Sequence, residues 1–260
     1  MRDWENNIRK VVPYTPGEQP KNTCVIKLNT NENPYPPAPG VKEVLSNFNT
    51  DDLRLYPDPR VDKLVNAIAD FYKIDSSKVF VGVGSDDVLA MIFMTFFNSK
   101  KPVLFPDITY SFYDVWADML RIPYEQLPLS DDFSIVPSVY YKANGGVVFP
   151  NPNAPTGKLM PLDEIEDIIE HNQDVIVVVD EAYVDFGGES ALPLIDKYDN
   201  VIVVQTFSKS RSLAGSRVGF AMASPVLIKY LNDVKYSKLI YNGQNHNRSS
   251  YSSGKRQSIL

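Results

Sequence analysis

The sequence has very little of the residues that build disulfides and transition-metal sites. Cys24 is the single cysteine among 260 residues, and His171 and His246 are the two histidines. One cysteine cannot form an intramolecular disulfide, which predicts a reducing compartment. Together these residues fall short of the four ligands that a structural zinc site usually has. We therefore expect neither a disulfide framework nor a His/Cys metal site.

An excess of basic charge and long apolar runs are also missing. Lys and Arg number 26 against 32 Asp and Glu, which gives a formal net charge of −6. Nucleic-acid backbones bind basic surfaces, so we do not expect nucleic acid as a partner. The sequence has no run of about 18 apolar residues that could span a membrane. Its charged N-terminus does not resemble a secretory signal. These features predict a soluble cytoplasmic protein.

The hydrophobic content of 43% is enough for one large globular domain. Strand-like β-branched runs alternate with amphipathic or apolar helical segments. Such alternation predicts an α/β fold in which a mostly parallel sheet lies between helices. The predicted strands are 79–84, 102–105, 145–150, 175–180 and 201–205, and the predicted helices are 62–72, 85–97, 111–120, 161–171 and 224–234.

Asp180 ends the run 175–180, and Lys209 follows the next run, 201–205. Ligands of parallel sheets bind beyond the carboxyl ends of the strands, so both residues are candidates for a site. An unpaired buried carboxylate costs several kcal/mol, so Asp180 needs a partner. That partner is either a structural salt bridge, for which Lys209 is a candidate, or a bound cation.

Lys209 lies among residues that suit an anion. Thr206, Ser208 and Arg217 are its neighbours in the sequence, and arginine can bind a phosphate through two parallel hydrogen bonds. A lysine in a loop is more often exposed to solvent. Two interpretations follow, an ordinary surface lysine or one part of a phosphate-containing site.

The stretch GVGSDD, residues 82–87, joins a predicted strand to a predicted helix. Free amides at a helix start bind phosphate, which makes Gly84, Ser85 and Asp86 candidates, with Ser85 as the helix cap. A plain capped helix also explains the stretch. A nucleotide-binding oxidoreductase is a further alternative, because Gly82 and Gly84 match the start of the dinucleotide fingerprint, although an aspartate occupies its third glycine position.

Tyr110, Asn153 and Tyr183 also follow strand-like runs. Core packing explains a tyrosine, and a turn explains an asparagine. Taken with Lys209 and Asp180, however, they bring an amine, a carboxylate, a phenol, an aromatic face and phosphate-binding groups to one cleft. This set complements the aldehyde, ring nitrogen, ring hydroxyl, ring face and phosphate of pyridoxal phosphate.

The chain contains, in this order, the motifs LNTNENPY, LYPDP, GVGSDD, DITYSFY, NPNAPTG, VVVDEAYVDF and TFSKSRSLAGSRVGF. This ordered set resembles the fold-type I aminotransferases, which use pyridoxal 5′-phosphate, and within them the histidinol-phosphate aminotransferase subgroup. The resemblance extends from residue 12 to residue 233. It implies an N-terminal arm at 1–40, a cofactor-binding large domain at 41–223 and a homodimer.

The resemblance implies a role for each candidate. Lys209 would link covalently to the cofactor and carry the proton during amino transfer, and Asp180 would keep the ring nitrogen protonated. Tyr183 would contact the ring hydroxyl, with help from Asn153, and Tyr110 would stack on the ring. The phosphate would be held by Gly84, Ser85, Asp86, Thr206, Ser208 and Arg217.

Tyr14 and Tyr56 match positions of the family near the substrate, and Tyr56 would reach across from a second subunit. The implied reaction moves an amino group from L-glutamate to a phosphorylated keto substrate, imidazole acetol phosphate. Its products are histidinol phosphate, an intermediate of histidine biosynthesis, and 2-oxoglutarate. An aromatic amino acid aminotransferase or a phosphothreonine decarboxylase-like enzyme is the near alternative.

The sequence departs from the family pattern at two places. Ala154 stands where the family has an asparagine before PTG, and Asn153 is the adjacent substitute. From Ser237 onward there are four Lys and Arg and no Asp or Glu. We expect 224–260 to hold the start of a C-terminal region followed by an out-of-frame or disordered tail, in a chain that lacks most of the small domain; a natural tail is the alternative. A chain that binds the cofactor without turnover is then a hypothesis of a different class.

Overall fold

The structure is a computed structural model that describes residues 8, 9, 17, 18 and 26–235. The described residues form a seven-stranded sheet with helices on both faces, in the strand order β1-β7-β6-β5-β4-β2-β3. The strands are β1 Val79–Gly82, β2 Val103–Pro106, β3 Tyr124–Leu127, β4 Gly146–Pro150, β5 Val177–Asp180, β6 Val201–Thr206 and β7 Gly219–Ala223. The helices are α1 Pro39–Ser46, α2 Asp62–Tyr72, α3 Ser85–Phe96, α4 Tyr113–Leu120, α5 Leu162–Glu170 and α6 Pro225–Val234.

Among the described strands, β7 is the one whose direction is opposite to that of the other six. It pairs antiparallel with both β1 and β6, whereas β6, β5, β4, β2 and β3 pair in parallel. Six strands therefore end at the same edge of the sheet, and β7 begins there. The loops at this edge carry most of the residues that the sequence analysis selected.

The core consists of two apolar layers, one on each face of the sheet. Val177, Val179 and Val203 belong to one layer, whereas Val178 and Ile202 belong to the other. All five side chains are fully buried, and each contributes roughly 1.5–3 kcal/mol relative to an exposed side chain. Continuous β-branched runs form β5 and β6 because both faces of these strands are covered.

The predicted α/β fold class is confirmed, and the five predicted strands and five predicted helices are present with shifts at their ends. Three elements were missed, namely α1, β3 and β7. The predicted cap at Ser85 was wrong. Gly84 precedes the first helical turn of α3, and the Asp87 carboxylate accepts the Val83 N–H instead, at 2.9 Å.

Candidate active site

A cavity of about 230 Å³ opens at the edge where the parallel strands end. Loops after β1, β2, β4, β5 and β6 supply its walls, and the arm before α1 closes one side. Asp180 and Lys209 both line it, as the sequence predicted. The full lining is Thr30, Glu32, Ser85, Asp86, Tyr110, Pro150, Ala154, Asp180, Ala182, Tyr183, Ser208, Lys209, Ala214 and Arg217.

Asp180 is a buried carboxylate at the end of β5, with 4% of its surface exposed. Its Oδ2 accepts the Tyr113 hydroxyl at 2.9 Å, and its Oδ1 accepts the Ala182 N–H at 3.2 Å. Burial raises the pKa of Asp180 to about 6, against the lowering effects of these two donors and of Lys209. No salt bridge to Lys209 forms within the described residues, so a structural salt bridge does not account for this carboxylate.

Lys209 points into the cavity from the loop after β6 and is half-buried. Its Nζ donates to the backbone carbonyl of Thr30 at 3.0 Å and lies 5.3 Å from the centre of the Tyr183 ring. The amide of Asn33 donates to the carbonyls of Lys209 and Ser210, both at 3.1 Å. Lys209 is therefore held by the arm and is not an ordinary surface lysine.

Tyr183 stands beside Lys209, three residues after Asp180. Its hydroxyl accepts a hydrogen bond from the Asn31 amide at 2.9 Å. Tyr183 lines the cavity, and it contacts the arm through Asn31 and lies beside the Lys209 amine. A phenol in this position can donate to an oxygen of a bound ligand while it keeps the Asn31 contact.

Asp86, Tyr110 and Arg217 form a polar cluster at the start of α3. The Tyr110 hydroxyl donates to one oxygen of Asp86 at 2.6 Å, and the Arg217 guanidinium donates to the other at 3.1 Å. Arg217 and Asp86 are both about half-exposed in this salt bridge. A bound anion would meet the guanidinium and the free amides of the helix start together.

Two glycines allow this cluster to form. Gly84 has a φ of +88°, and a Cβ there would lie 2.5 Å from Nη2 of Arg217. A Cβ at Gly219 would lie 2.2 Å from the backbone nitrogen of Ser85. Strand β7 and the start of α3 therefore touch backbone to backbone, which places Arg217 beside the helix amides.

Thr206 and Ser208 are buried at the end of β6. The Thr206 hydroxyl accepts the Ser208 N–H at 3.1 Å and donates toward the Ser208 hydroxyl at 3.0 Å. Ser208 lines the cavity, whereas Thr206 lies behind it and orders the turn. The two predicted hydroxyls are thus neighbours, with only one facing the cavity.

The structure does not bring Asn153 or Tyr56 to the cavity. Asn153 is buried, and its amide donates to the carbonyl of Ile108 and to Thr156 while its oxygen accepts from Thr109. The neighbouring Ala154 lines the cavity instead. Tyr56 is 84% exposed, and Tyr14 lies outside the described residues.

Sequence reasoning missed the arm residues Thr30, Asn31 and Asn33, and the buried Tyr113. The arm lacks periodicity, so no pattern predicted that its carbonyls and amides would contact Lys209. Tyr113 was treated as part of a motif without a role of its own. The position of Asp180 at a strand end could have indicated such a partner, because a buried carboxylate requires hydrogen-bond donors, and Tyr113 is one of them.

The dinucleotide-binding alternative does not fit the topology. Strand β1, which carries Gly82 and Gly84, has antiparallel β7 as its strand partner at the edge of the sheet. A dinucleotide fingerprint requires a strand inside a parallel βαβ unit. Within the described residues there is also no helix suited to crossing a bilayer and no cluster of three potential metal ligands.

Comparisons with known proteins agree with this geometry. Residues 23–244 match the family model for class I and II aminotransferases. The histidinol-phosphate aminotransferase of Lactococcus lactis subsp. cremoris is 54% identical over 234 residues, which cover 90% of this chain and 66% of the relative. Histidinol-phosphate aminotransferase 1 of Hydrogenovibrio crunogenus is 56% identical, with the same two coverages.

A solved structure with a similar fold is the histidinol-phosphate aminotransferase from Sinorhizobium meliloti in complex with pyridoxal-5'-phosphate. Its TM-score is 0.75 at 24% identity, and the match covers 84% of this chain and 61% of that one. The chain spans 66% of the length of each of the two curated relatives. The family match includes all seven strands and every residue of the cavity lining. The chain belongs to the class I and II aminotransferases.

Proposed function

We propose that the cavity binds pyridoxal 5′-phosphate and that the whole protein is a histidinol-phosphate aminotransferase. It would transfer the amino group of L-glutamate to imidazole acetol phosphate, in histidine biosynthesis in the cytoplasm. The observation that carries the proposal is that Lys209, Asp180 and Arg217 line a single cavity. The names of the curated relatives at 54% and 56% identity support the choice of substrate.

The donor set of the cavity fits the cofactor. Asp180 is a buried carboxylate that lacks a cationic partner among the described residues, so a protonated ring nitrogen would supply one. The Lys209 amine suits the aldehyde, and Tyr183 suits the ring hydroxyl. Arg217, Ser85 and Ser208 suit the phosphate, as does the start of α3, once Arg217 exchanges its contact with Asp86 for a contact with phosphate oxygens.

The residues of the chain then have distinct tasks. Bound pyridoxal phosphate would supply an electron sink for the pair released when the Cα–H bond of the substrate breaks. The Asp180 carboxylate would hold a proton on the ring nitrogen, with the Tyr113 hydroxyl fixing its orientation. Lys209 would take the proton from the substrate as a neutral amine and return it to the adjacent carbon.

The contacts of Lys209 with the arm bear on these tasks. In the described structure its Nζ donates to the carbonyl of Thr30. A lysine amine reacts with an aldehyde through its lone pair. The Lys209 amine would therefore leave the Thr30 carbonyl when it meets the aldehyde.

The proposal also includes a homodimer and two substrate-facing tyrosines. Tyr56 is 84% exposed, which leaves its ring free to enter the site of a second copy of the chain. Tyr14 is kept as a substrate-facing candidate on the resemblance alone. Asn153 is proposed to act indirectly, because its hydrogen bonds fix the loop that carries Ala154 against the cavity.

Trapping of the covalent link tests the central residue. Pyridoxal phosphate is added to the chain, its absorbance spectrum is recorded, the adduct is reduced with borohydride, and the labelled peptide is mapped. We expect the label on Lys209, none after Lys209→Ala, and normal labelling after Lys229→Ala, which removes an exposed lysine. A label on another lysine, or none in the wild type, contradicts the proposal.

Turnover is tested separately from cofactor binding. The chain loaded with pyridoxal phosphate is mixed with L-histidinol phosphate, L-phenylalanine or O-phospho-L-threonine in turn. Conversion of the cofactor to its amino form with histidinol phosphate alone supports the proposed substrate. Conversion only with phenylalanine, or carbon dioxide release from phosphothreonine, supports one of the near alternatives, and cofactor binding without conversion supports a chain that does not turn over.

A further inference from the structure

A chain of hydrogen bonds lies on the face of the sheet opposite to the contact between Asp180 and Tyr113. It joins Arg211, Tyr72, Gln205 and Glu181, and we call it the polar chain. Gln205 and Glu181 are 1% exposed, and the Arg211 side chain is 12% exposed. The cofactor site proposed above does not use any of these four side chains.

All bonds of the polar chain donate in one direction. Nη2 of Arg211 donates to the Tyr72 hydroxyl at 2.8 Å, and that hydroxyl donates to Oε1 of Gln205. Nε2 of Gln205 then donates to Oε2 of Glu181 at 2.8 Å. The chain therefore begins at a cation and ends at an anion, an arrangement in which each bond polarises the next.

The cationic end of the polar chain holds the loop that carries Lys209. Nη1 of Arg211 donates to the carbonyl of Thr206 at 3.1 Å and pairs with Asp185 at 3.2 Å. Ser210 also donates to Asp185. Both residues that follow Lys209 are thus fixed to Asp185, which lies two residues after Tyr183.

The anionic end of the polar chain lies next to Asp180. The Ser190 hydroxyl donates to Oε2 of Glu181 at 2.7 Å, and the Ala191 N–H donates to Oε1 at 2.6 Å. Burial raises the pKa of Glu181 to about 7, the three donors lower it, and the nearby Asp180 carboxylate raises it further. The other charged groups along the chain, Arg211 and Asp185, lie at its far end.

We propose that Glu181 is a positioning residue for Lys209 and acts on it through the polar chain. Ionised Glu181 accepts from Gln205, which leaves the Gln205 oxygen to accept from Tyr72 and the Tyr72 oxygen to accept from Arg211. Arg211 is then held in the geometry that fixes the lysine loop. The proposal rests on the proposed function for its catalytic meaning, whereas the order of the loop can be measured without the cofactor.

Replacement of Glu181 by glutamine sets two donors against each other. An amide at this position keeps the Ala191 contact through its oxygen, so its NH₂ group faces the NH₂ group of Gln205. The side-chain amide of Gln205 must then flip, so that its oxygen faces position 181. Its NH₂ group then faces the Tyr72 oxygen, which already accepts a hydrogen bond from Arg211. The double variant Glu181→Gln/Gln205→Glu places an acceptor between Tyr72 and position 181. Donation from Arg211 through Tyr72 to position 205 is then restored, while the bond between positions 205 and 181 forms in the opposite direction.

Hydrogen exchange of the peptide 206–213 in the cofactor-free chain tests the order of the loop. After correction for intrinsic exchange, we expect the wild type to exchange more slowly at about pH 8 than at about pH 6. The Gln205 contact lowers the pKa of Glu181 only while the polar chain is intact, so ionisation of Glu181 in this range favours the intact chain. Glu181→Gln should exchange about tenfold faster at pH about 8 and lose the pH dependence. The double variant should recover the slow exchange of the wild type.

Tyr72→Phe is the second variant, and it removes one oxygen from the polar chain while the ring keeps its contacts with Phe71 and Phe220. It should behave as Glu181→Gln does. Tyr198→Phe is the matched control, because it removes a tyrosine hydroxyl that bonds Glu166 and Glu170 away from the loop. It should exchange as the wild type does.

The same variants are then tested for the rate at which pyridoxal phosphate is trapped on Lys209. We expect slower trapping in Glu181→Gln and Tyr72→Phe, and recovery in the double variant. Wild-type exchange and trapping in both single variants would overturn this inference. Absence of trapping in the wild type would overturn the proposed function instead, so the two failures are distinguishable.

Discussion

Asp180 shows how a single residue can be costly to the fold and useful to a ligand. Its carboxylate is buried and accepts two neutral donors, Tyr113 and the Ala182 N–H, but it forms no salt bridge with any described residue. Because burial penalises the charged form, folding raises the pKa of this group from 3.8 to about 6. A ligand that brings a positive charge to the free side of Asp180 removes that penalty.

The pH dependence of stability follows from this carboxylate. Between pH 3.8 and about 6 the folded chain binds a proton at Asp180 that the unfolded chain has released, so this group's contribution to stability is lost as the pH rises. Asp180→Asn should therefore unfold at higher urea concentration than the wild type at about pH 8, and the gain should be at most about 3 kcal/mol. Urea unfolding of the cofactor-free proteins at about pH 5 and about pH 8 is the measurement.

The same substitution should weaken the binding of pyridoxal phosphate at pH about 8 by at least about tenfold, because an amide cannot balance the protonated ring nitrogen. Asp233→Asn, which removes a half-exposed carboxylate paired with Lys229, is the control for a general effect of charge. A variant at Asp180 that is less stable than the wild type at both pH values would contradict the assignment of a cost to this carboxylate.

At the residue scale, the sequence predicted the members of the cavity better than their contacts. Lys209, Asp180 and Tyr183 follow strand ends, and strand ends of a parallel sheet must meet at one edge. The partners of these residues come from the arm and from α4. Asn31 and Tyr113 lie 152 and 67 residues from the residues that they contact, and no local pattern predicts such contacts. Asn153 was misplaced because its three partners lie in two loops, where no pattern predicts contacts either.

At the element scale, the junction of α3 with β7 decides where Arg217 lies. Gly219 begins β7, and a Cβ there would overlap the backbone of Ser85 and Gly84. The start of α3 and the start of β7 are therefore in direct backbone contact. This contact leaves no room for a side chain at Gly219. Because Arg217 precedes Gly219 by two residues, the position of its guanidinium depends on this contact.

Gly219→Ala should disrupt this junction. We expect a loss of about 1–3 kcal/mol in the free energy of unfolding, since a methyl group is forced into packed backbone, together with weaker binding of pyridoxal phosphate. Gly215→Ala is the matched control, because a Cβ at Gly215 meets nothing within 4 Å; it should change stability by less than about 1 kcal/mol. Equal effects of the two variants in urea unfolding would show that the junction is not tightly packed.

The two strands missed by sequence reasoning, β3 and β7, both lack β-branched apolar residues. Strand β3, Tyr124–Leu127, lies at an edge and buries only Leu127, so it lacks an apolar run. Strand β7, Gly219–Ala223, is fully buried but consists of small and unbranched residues next to a loop motif. Strands β5 and β6 were found because β-branched residues fill both of their faces.

At the scale of the whole molecule, a short segment exposes several large apolar side chains. Leu53 is 54% exposed, Leu55 is 44% exposed and Tyr56 is 84% exposed. A contiguous patch of exposed apolar side chains often marks a surface that binds another molecule. This segment also contains the tyrosine that we propose to enter the site of a second copy.

Sedimentation tests the role of this segment. We expect the wild type to sediment at twice its 29.3 kDa mass and the double variant Leu53→Ser/Leu55→Ser to shift toward the monomer, because the substitutions remove apolar area from the interface. Val226→Ser, at a position that is 61% exposed in α6, is the control and should remain dimeric. A monomeric wild type at micromolar concentration would contradict the proposed homodimer.

The reversal of β7 also sets an order in time. Strand β1 lies early in the chain, but its strand partner is β7, where Phe80 pairs with Ala221. After β1, a ribosome must translate residues 83–218 before that partner emerges, and contacts so distant in sequence form slowly. During synthesis β1 therefore has no strand partner until β7 is made, and Arg217, just before β7, is the last residue of the cavity lining to be added to the chain.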